Sequence, residues 1–131
     1  MQVTFHRAFD RVKDPMASLE TIIGLGCTRI LTSGLHPNVD EGREMLRTLV
    51  EEADNRITIM PGSAVRSDNI LELAKFTGAR AFHSSARFSR PSSMDYTNPA
   101  MAEDLSSVSI DADEVLELRR ILDAYEEGQL P

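Results

Sequence analysis

The stretch DPMASLETIIGLGCTRILTSG, residues 14–34, contains one complete helix-to-strand unit and decides the fold class. Asp14 is a favourable N-cap and the proline after it suits the first helical position, so we expect a helix over Pro15–Gly24. Gly26 can adopt the left-handed conformation that ends a helix. The β-prone run Arg29–Thr32 follows at once and is too short to be a helix.

The same unit recurs along the chain. A second junction, Thr77-Gly78-Ala79-Arg80-Ala81-Phe82, closely resembles Leu25-Gly26-Cys27-Thr28-Arg29-Ile30. Such alternation predicts an α/β fold with parallel strands and crossover helices, typical of a βα barrel, although a flavodoxin-like open sheet gives the same local signals. The predicted strands are Val3–His6, Arg29–Thr32, Ile57–Met60 and Arg80–Ser84. Further helices are predicted over 39–54, after an N-cap at Ser67, and over Asp113–Tyr125 within a C-terminal helical segment, 111–127.

We interpret residues 1–131 as a single domain. A complete (β/α)₈ barrel needs roughly 250 residues, so four strands predict a partial TIM barrel, either a fragment or a natural short product. Residues 86–110 break the repeat with proline, asparagine and serine turn signals. A loop of this length is usually a functional lid or a disordered segment.

Composition disfavours several classes of partner. Fourteen basic and 21 acidic side chains give a formal net charge of −7, which disfavours nucleic acid and anionic membrane surfaces. The sequence shows no signal-peptide pattern and no apolar run of membrane-spanning length. Cys27 is the only cysteine, so no intrachain disulfide can form, and a reducing compartment is expected.

The first predicted strand ends in residues that could carry chemistry. Active sites of βα barrels lie at the carboxyl ends of the strands. Alternation allows only one of His6 and Arg7 to point inward, and we expect His6 to do so, as a ligand or proton-transfer group, with Arg7 outward. Asp10 could then pair with Arg7 or orient His6. A structural contact at the barrel rim explains the same residues equally well.

Small and hydroxyl-bearing residues end the other strands. Thr32-Ser33-Gly34 would either let a ligand approach backbone N–H groups or form a tight turn. If the third and fourth strands are the seventh and eighth of a barrel, Pro61-Gly62-Ser63 and His83-Ser84-Ser85 occupy the corner where many barrels bind phosphate, and with Arg87 they could hold an oxyanion. His36, in the loop after the second strand, is expected to be exposed to solvent.

Metal binding has one candidate set, His6, Met60 and His83. Cu(I) prefers sulfur ligands, and Met60 stands at a strand end, although packing in the strand core also explains it. Cys27 precedes its strand, at the opposite end from the active loops, and is expected to be a small buried hydrophobe. No HxxxH or CxxC spacing is present.

Five ordered motifs resemble the copper homeostasis family CutC. They are Phe5-His6-Arg7-Ala8-Phe9-Asp10, Asp14-Pro15-Met16, Arg29-Ile30-Leu31-Thr32-Ser33-Gly34, Ile59-Met60-Pro61-Gly62 and Phe82-His83-Ser84-Ser85-Ala86-Arg87. The resemblance runs over residues 2–90. It implies a (β/α)₈ barrel of which these are the fifth to eighth strands, and a cytoplasmic protein, partly nuclear in animals, that handles copper by binding Cu(I). The family's proposed Cu(I) ligands are cysteines of the early strands, which this chain lacks.

Three hypotheses follow. The first, from the resemblance, is a copper-binding protein with a pocket formed by the strand-end residues. The second is an enzyme acting on a small phosphorylated or carboxylated metabolite, with His6 or His83 as general acid–base, although no motif implies a particular reaction. The third is an inactive half-barrel. Because four strands leave two unpaired sheet edges, we expect either a homodimer or a chain that lacks its N-terminal half.

Overall fold

The computed structural model describes residues 1–131 and has an α/β fold. The strands are β1 (Thr4–Phe5), β2 (Arg29–Thr32), β3 (Thr58–Pro61), β4 (Arg87–Arg90) and β5 (Ser107–Ile110). The first three are parallel and form a sheet in the order β1-β2-β3, and the antiparallel strands β4 and β5 form a separate hairpin. None of the helices combines the length and apolar content that a bilayer crossing requires. The α-helices are α1 (Pro15–Gly24), α2 (Arg43–Ala53), α3 (Ile70–Thr77) and α4 (Ala112–Glu126), with 3₁₀ turns at Arg7–Arg11 and Pro99–Met101.

The signals that bound the first helix act as predicted. Asp14 Oδ1 accepts the backbone N–H of Ala17 at 3.0 Å, and α1 spans the expected residues. The third helix starts later than predicted, at Ile70 after Asn69. Ser67 is not its N-cap, because the Ser67 hydroxyl donates to the Glu114 carboxylate of α4 at 2.7 Å.

The parallel register gives the sheet two different faces. Thr4 pairs with Arg29 and Arg29 with Thr58, so side chains in the same row point to the same side. The helix-covered face consists of the buried residues Ile30, Thr32, Ile59 and Pro61, and its two isoleucines belong to the core cluster that the helices share. The open face consists of Thr4, Arg29, Leu31, Thr58 and Met60, which are exposed or half-buried.

The predicted fourth strand is reduced to one bridge. His83 pairs in parallel with Gly62, and its N–H donates to the Pro61 carbonyl at 2.8 Å. The expected strand Arg80–Ser84 does not extend along β3. After the bridge, Ser84 Oγ donates to the Val65 carbonyl and accepts the N–H of Ala86. The segment nevertheless lies beside β3, which preserves the order of the repeat.

Residues 86–110 are not the irregular loop that the sequence predicted. Their two ends form the β4–β5 hairpin, with Phe88 opposite Ser109. The hairpin is anchored to the parallel layer, since Arg66 Nη1 donates to the Arg87 carbonyl at 3.0 Å and the N–H of Asp111 donates to the Ala86 carbonyl at 2.7 Å. Between the strands, residues 91–106 contain only a single 3₁₀ turn.

Candidate functional site

Asp10 organises the carboxyl end of the first two strands. Its side chain is only 7% exposed. Oδ1 accepts the Thr32 hydroxyl at 2.5 Å and the backbone N–H groups of Ser33 and Leu35 at 3.0 and 3.2 Å. One carboxylate thus fixes the 3₁₀ turn after β1 to the loop after β2.

Arg7 completes this cluster from the same turn. Its Nε donates to Asp10 Oδ2 at 2.7 Å, and its Nη2 donates to Ser33 Oγ at 2.7 Å. Burial alone would raise the pKa of Asp10, but hydrogen bonds from Thr32, Arg7 and the backbone of Leu35 and Ser33 outweigh it, so this pKa lies below its ordinary value. The carboxylate is therefore charged at neutral pH, and the Arg7 side chain remains 43% exposed beside it.

His6 and Arg7 do not follow the predicted alternation. The backbone leaves the strand at His6 and enters the 3₁₀ turn Arg7–Arg11, so the period of two no longer applies. His6 Nδ1 accepts the N–H of Ala8 at 3.1 Å, and its ring is exposed rather than oriented by Asp10. The expectation that Arg7 packs outward is wrong, because Arg7 reaches the end of β2.

The loop after β2 is tightly folded around Ser33. Gly34 has φ +72°, and a Cβ on it would lie 2.2 Å from the carbonyl oxygen of Gly42, so only glycine fits there. Leu35 also has a positive φ, 62°, and its N–H is held by Asp10. His36 is exposed, as expected, and its Nδ1 lies 2.7 Å from the Gly34 carbonyl. The sequence left open either a ligand close to the backbone N–H groups of Thr32-Ser33-Gly34 or a tight turn, and in the structure the backbone of Gly42 occupies the space beside Gly34.

Gly62 and His83 lie together at the end of β3. A Cβ on Gly62 would lie 2.5 Å from Leu31 Cδ1 and 3.2 Å from His83 Cβ. Gly62 and His83 therefore continue the open face beyond Leu31 and Met60. The imidazole of His83 is exposed there.

The structure does not assemble the oxyanion corner that the sequence suggested. Ser63 Oγ donates to the Pro37 carbonyl at 2.9 Å, and Ser84 Oγ donates to the Val65 carbonyl at 2.6 Å. Both hydroxyl protons are thus used within the fold. Arg87 belongs to the β4–β5 hairpin, and Ser85 is exposed next to it without a shared contact.

The trio of His6, Met60 and His83 does not converge on one ion. No group of three or more His, Cys, Asp or Glu side chains is placed to hold a metal. His6 follows β1 and His83 lies beyond β3, three strand spacings or roughly 14 Å away across a flat sheet. Met60 and His83 alone share the open face on neighbouring strands. Cys27 is half-buried against the core at the other end of β2, so it is less enclosed than predicted.

One charged residue of the sheet was not singled out from the sequence. Arg29 lies on the open face, and its Nε is buried without a hydrogen-bond partner. The signal was available, because alternation along β2 places Arg29 and Leu31 on the side opposite to Ile30.

Comparison with known proteins decides the family. The CutC family model matches residues 1–88 of the chain. This chain belongs to the CutC family. A copper homeostasis protein cutC homolog from Mus musculus is 45% identical over 102 residues, covering 78% of this chain and 38% of the relative. A family protein CutC from Parabacteroides distasonis is 44% identical over 125 residues, covering 95% of this chain and 51% of the relative.

A solved structure agrees with the fold. The crystal structure of a copper homeostasis protein CutC from Streptococcus agalactiae superposes with a TM-score of 0.60 and 34% sequence identity, over 63% of this chain and 41% of that chain. The chain spans about half, or less, of the length of the CutC relatives that it matches. These matches support the parallel βα architecture.

Proposed function

We propose that this chain serves copper homeostasis as the part of a CutC barrel that supplies strands five to eight. The parallel order β1-β2-β3, with His83 bridged to Gly62 beside it, supports four consecutive strands of a (β/α)₈ barrel. The names of the CutC relatives support the copper role. In this arrangement the open face is the inner surface of the barrel.

The Cu(I) contribution of this chain is the pair Met60 and His83. They lie on one face of neighbouring strands, two residues apart in register, with Cα atoms about 8 Å apart by strand geometry. A thioether and an imidazole are soft and borderline ligands that suit copper. The single observation that carries the proposal is this juxtaposition at the carboxyl end of the open face. Two ligands do not complete a strong site, so the affinity of the chain by itself is modest.

Competition for Cu(I) against a chromogenic chelator under reducing, anaerobic conditions tests this proposal. We expect one equivalent to bind the wild-type chain, and Met60→Leu and His83→Gln each to lower the affinity at least tenfold. Met101→Leu and His36→Gln remove an exposed thioether and an exposed imidazole elsewhere and should change nothing. The proposal is contradicted if the wild-type chain does not compete with the chelator for Cu(I). It is also contradicted if Met60→Leu and His83→Gln both bind Cu(I) as tightly as the wild type does.

A second function, binding of a small phosphorylated or carboxylated metabolite, is favoured by Arg7. Two hydrogen bonds, to Asp10 and Ser33, hold its guanidinium at the strand ends while it remains partly exposed. The N–H groups on the free edge of such an oriented guanidinium can donate hydrogen bonds to a second oxyanion, in addition to the Asp10 carboxylate. Thermal unfolding with a panel of sugar phosphates checks this function. A stabilisation that Arg7→Met abolishes supports it, and a flat response to the whole panel argues against it.

A further inference from the structure

A cavity between α3 and α4 lies apart from the strand ends discussed so far. Its volume is about 440 Å³, within the range in which proteins hold small ligands. Ala74 of α3 and Leu122 of α4 form apolar parts of its wall, and Arg80 lines it beside them. The cavity belongs to the helix layer and not to the open face of the sheet.

The junction after α3 brings Arg80 to this cavity. Gly78 ends α3 with φ +74°, and its N–H donates to the Ala74 carbonyl at 2.9 Å. A Cβ on Gly78 would contact only Val50 Cγ1, at 3.7 Å, so little packs closely against this turn. The left-handed turn thus leaves open space at the end of α3, and Arg80 follows two residues later.

The polar residues of the cavity are not used within the fold. Arg80 and Glu126 both line it, yet neither belongs to any of the six ion pairs of the chain. The half-buried Tyr125 lies between them in the lining and offers a phenol hydroxyl. Two opposite charges that face one cavity without pairing are complementary to a ligand that carries both charges.

The matching junction earlier in the chain differs at the decisive position. Gly26-Cys27-Thr28 aligns with Gly78-Ala79-Arg80. Thr28 Oγ1 accepts the N–H of Val3 at 3.1 Å and donates to the Val3 carbonyl at 3.0 Å, so it ties its junction to the start of the chain. The second junction carries a longer, charged side chain at the equivalent place. That side chain has no structural role comparable to that of Thr28.

We propose that this cavity binds a small zwitterion, an α-amino acid with an apolar side chain. Its carboxylate pairs with Arg80, since a guanidinium recognises a carboxylate through two parallel N–H donors. Its ammonium group pairs with Glu126, and its side chain packs against Ala74 and Leu122. One positive and one negative residue favour a zwitterion over a simple anion or cation. The site is separate from the strand ends, so it is independent of copper binding.

Isothermal titration calorimetry of the full chain tests the proposal, with L-leucine and L-phenylalanine as probes. We expect at least one of them to bind. The methyl ester of that amino acid lacks the carboxylate, its N-acetyl derivative lacks the ammonium group, and each should bind at least tenfold more weakly. Arg80→Met and Glu126→Gln should each weaken binding of the free amino acid at least tenfold. Arg11→Met and Glu52→Gln remove exposed charges elsewhere and should bind as the wild type does.

Three results would overturn the proposal. The first is the absence of binding by both amino acids. The second is unchanged affinity of Arg80→Met and Glu126→Gln, with circular dichroism showing both variants folded, as the exposure of these two residues leads us to expect. The third is equal binding of a derivative that carries one charge, because the N-acetyl compound would then assign the cavity to an anion and the methyl ester would assign it to a cation.

Discussion

The two faces of the parallel sheet use the same strands for different purposes. On the helix-covered face, Ile30 and Ile59 are 0% and 4% exposed and belong to one continuous core. On the open face, their chain neighbours Leu31 and Met60 are only half-buried, and the Nε of Arg29 lacks a hydrogen-bond partner. Adjacent residues of a four-residue strand thus belong in turn to the core and to the open face. Stability should be lost by changes on one face, and binding by changes on the other.

The largest loss of stability should follow a change on the helix-covered face, and two adjacent residues of β2 allow the comparison with the open face. Ile30→Ala removes a fully buried side chain and should lower the free energy of unfolding by about 2–5 kcal/mol, through lost transfer energy and a residual cavity. Leu31→Ala is the matched control on the open face and should cost clearly less, because Leu31 is half-exposed already. Chemical denaturation of both variants measures the difference. Equal losses would mean that the open face is packed as the core is.

Asp10 joins the 3₁₀ turn after β1 to the loop after β2, and its removal should rank second. Asp10→Asn keeps the size but loses the charge to which four residues donate, and we expect a loss of roughly 1.5–3 kcal/mol. Because folding lowers the pKa of Asp10, its stabilising contribution is complete above the unfolded value of about 3.9 and disappears as the pH falls through the lower folded value. The gap between wild type and variant should therefore narrow in acid. A gap that widens below pH 4 would refute the assignment.

An added methyl group at Gly62, at the end of the open face, should cost less stability, and a smaller side chain at Leu31 should reduce that cost. Gly62→Ala places a Cβ against Leu31 Cδ1, and we expect a loss of about 1–3 kcal/mol. The double variant Leu31→Ala/Gly62→Ala should lose less stability than the sum of the two single changes, because the space that Leu31→Ala leaves accommodates the added methyl group. Strict additivity in a double-mutant cycle would show that His83 or the backbone, rather than Leu31, limits the space.

The smallest effect should lie on the outer side of the helices, remote from both faces. Asp123→Asn breaks the exposed pair with Arg119 in α4 and should change stability by roughly 0.3–0.5 kcal/mol, the value of i,i+4 helix pairs. High salt should reduce even this difference. A loss above 1 kcal/mol would indicate that α4 depends on its surface charges more than on Leu118 and Ile121, which are buried.

Local signals predicted the parts of the fold that local chemistry determines. Asp14 and the proline after it start α1 by capping and fixed backbone geometry, and the run Arg29–Thr32 forms β2 as expected. The same reasoning failed where distant residues compete. Ser67 resembles an N-cap, but its hydroxyl donates its hydrogen bond to the carboxylate of Glu114, far along the chain.

The site was predicted in composition rather than in geometry. Asp10, Thr32 and Ser33 meet at the carboxyl ends of the strands, where the functional residues of a βα barrel are expected. The orientation of Arg7 was not predictable from alternation, because the strand stops one residue earlier and a 3₁₀ turn follows. The β4–β5 hairpin was missed for a related reason. β5, Ser-Val-Ser-Ile, does alternate polar and apolar residues, but both strands are only four residues long, and the proline, asparagine and serine turn signals near them favoured a loop.

The carboxylate of Asp10 has a consequence for hydrogen exchange. The amide protons of Ser33 and Leu35 are held by a side chain and not by the sheet ladder. Their protection therefore depends on one ionisable group, whereas the amides within β2 and β3 are protected by backbone pairing. A single proton added to Asp10 should therefore weaken the protection of these two amides, while the amides within β2 and β3 keep their backbone partners. Because the pKa of Asp10 is lowered, this loss of protection belongs to a pH below the ordinary range of aspartate.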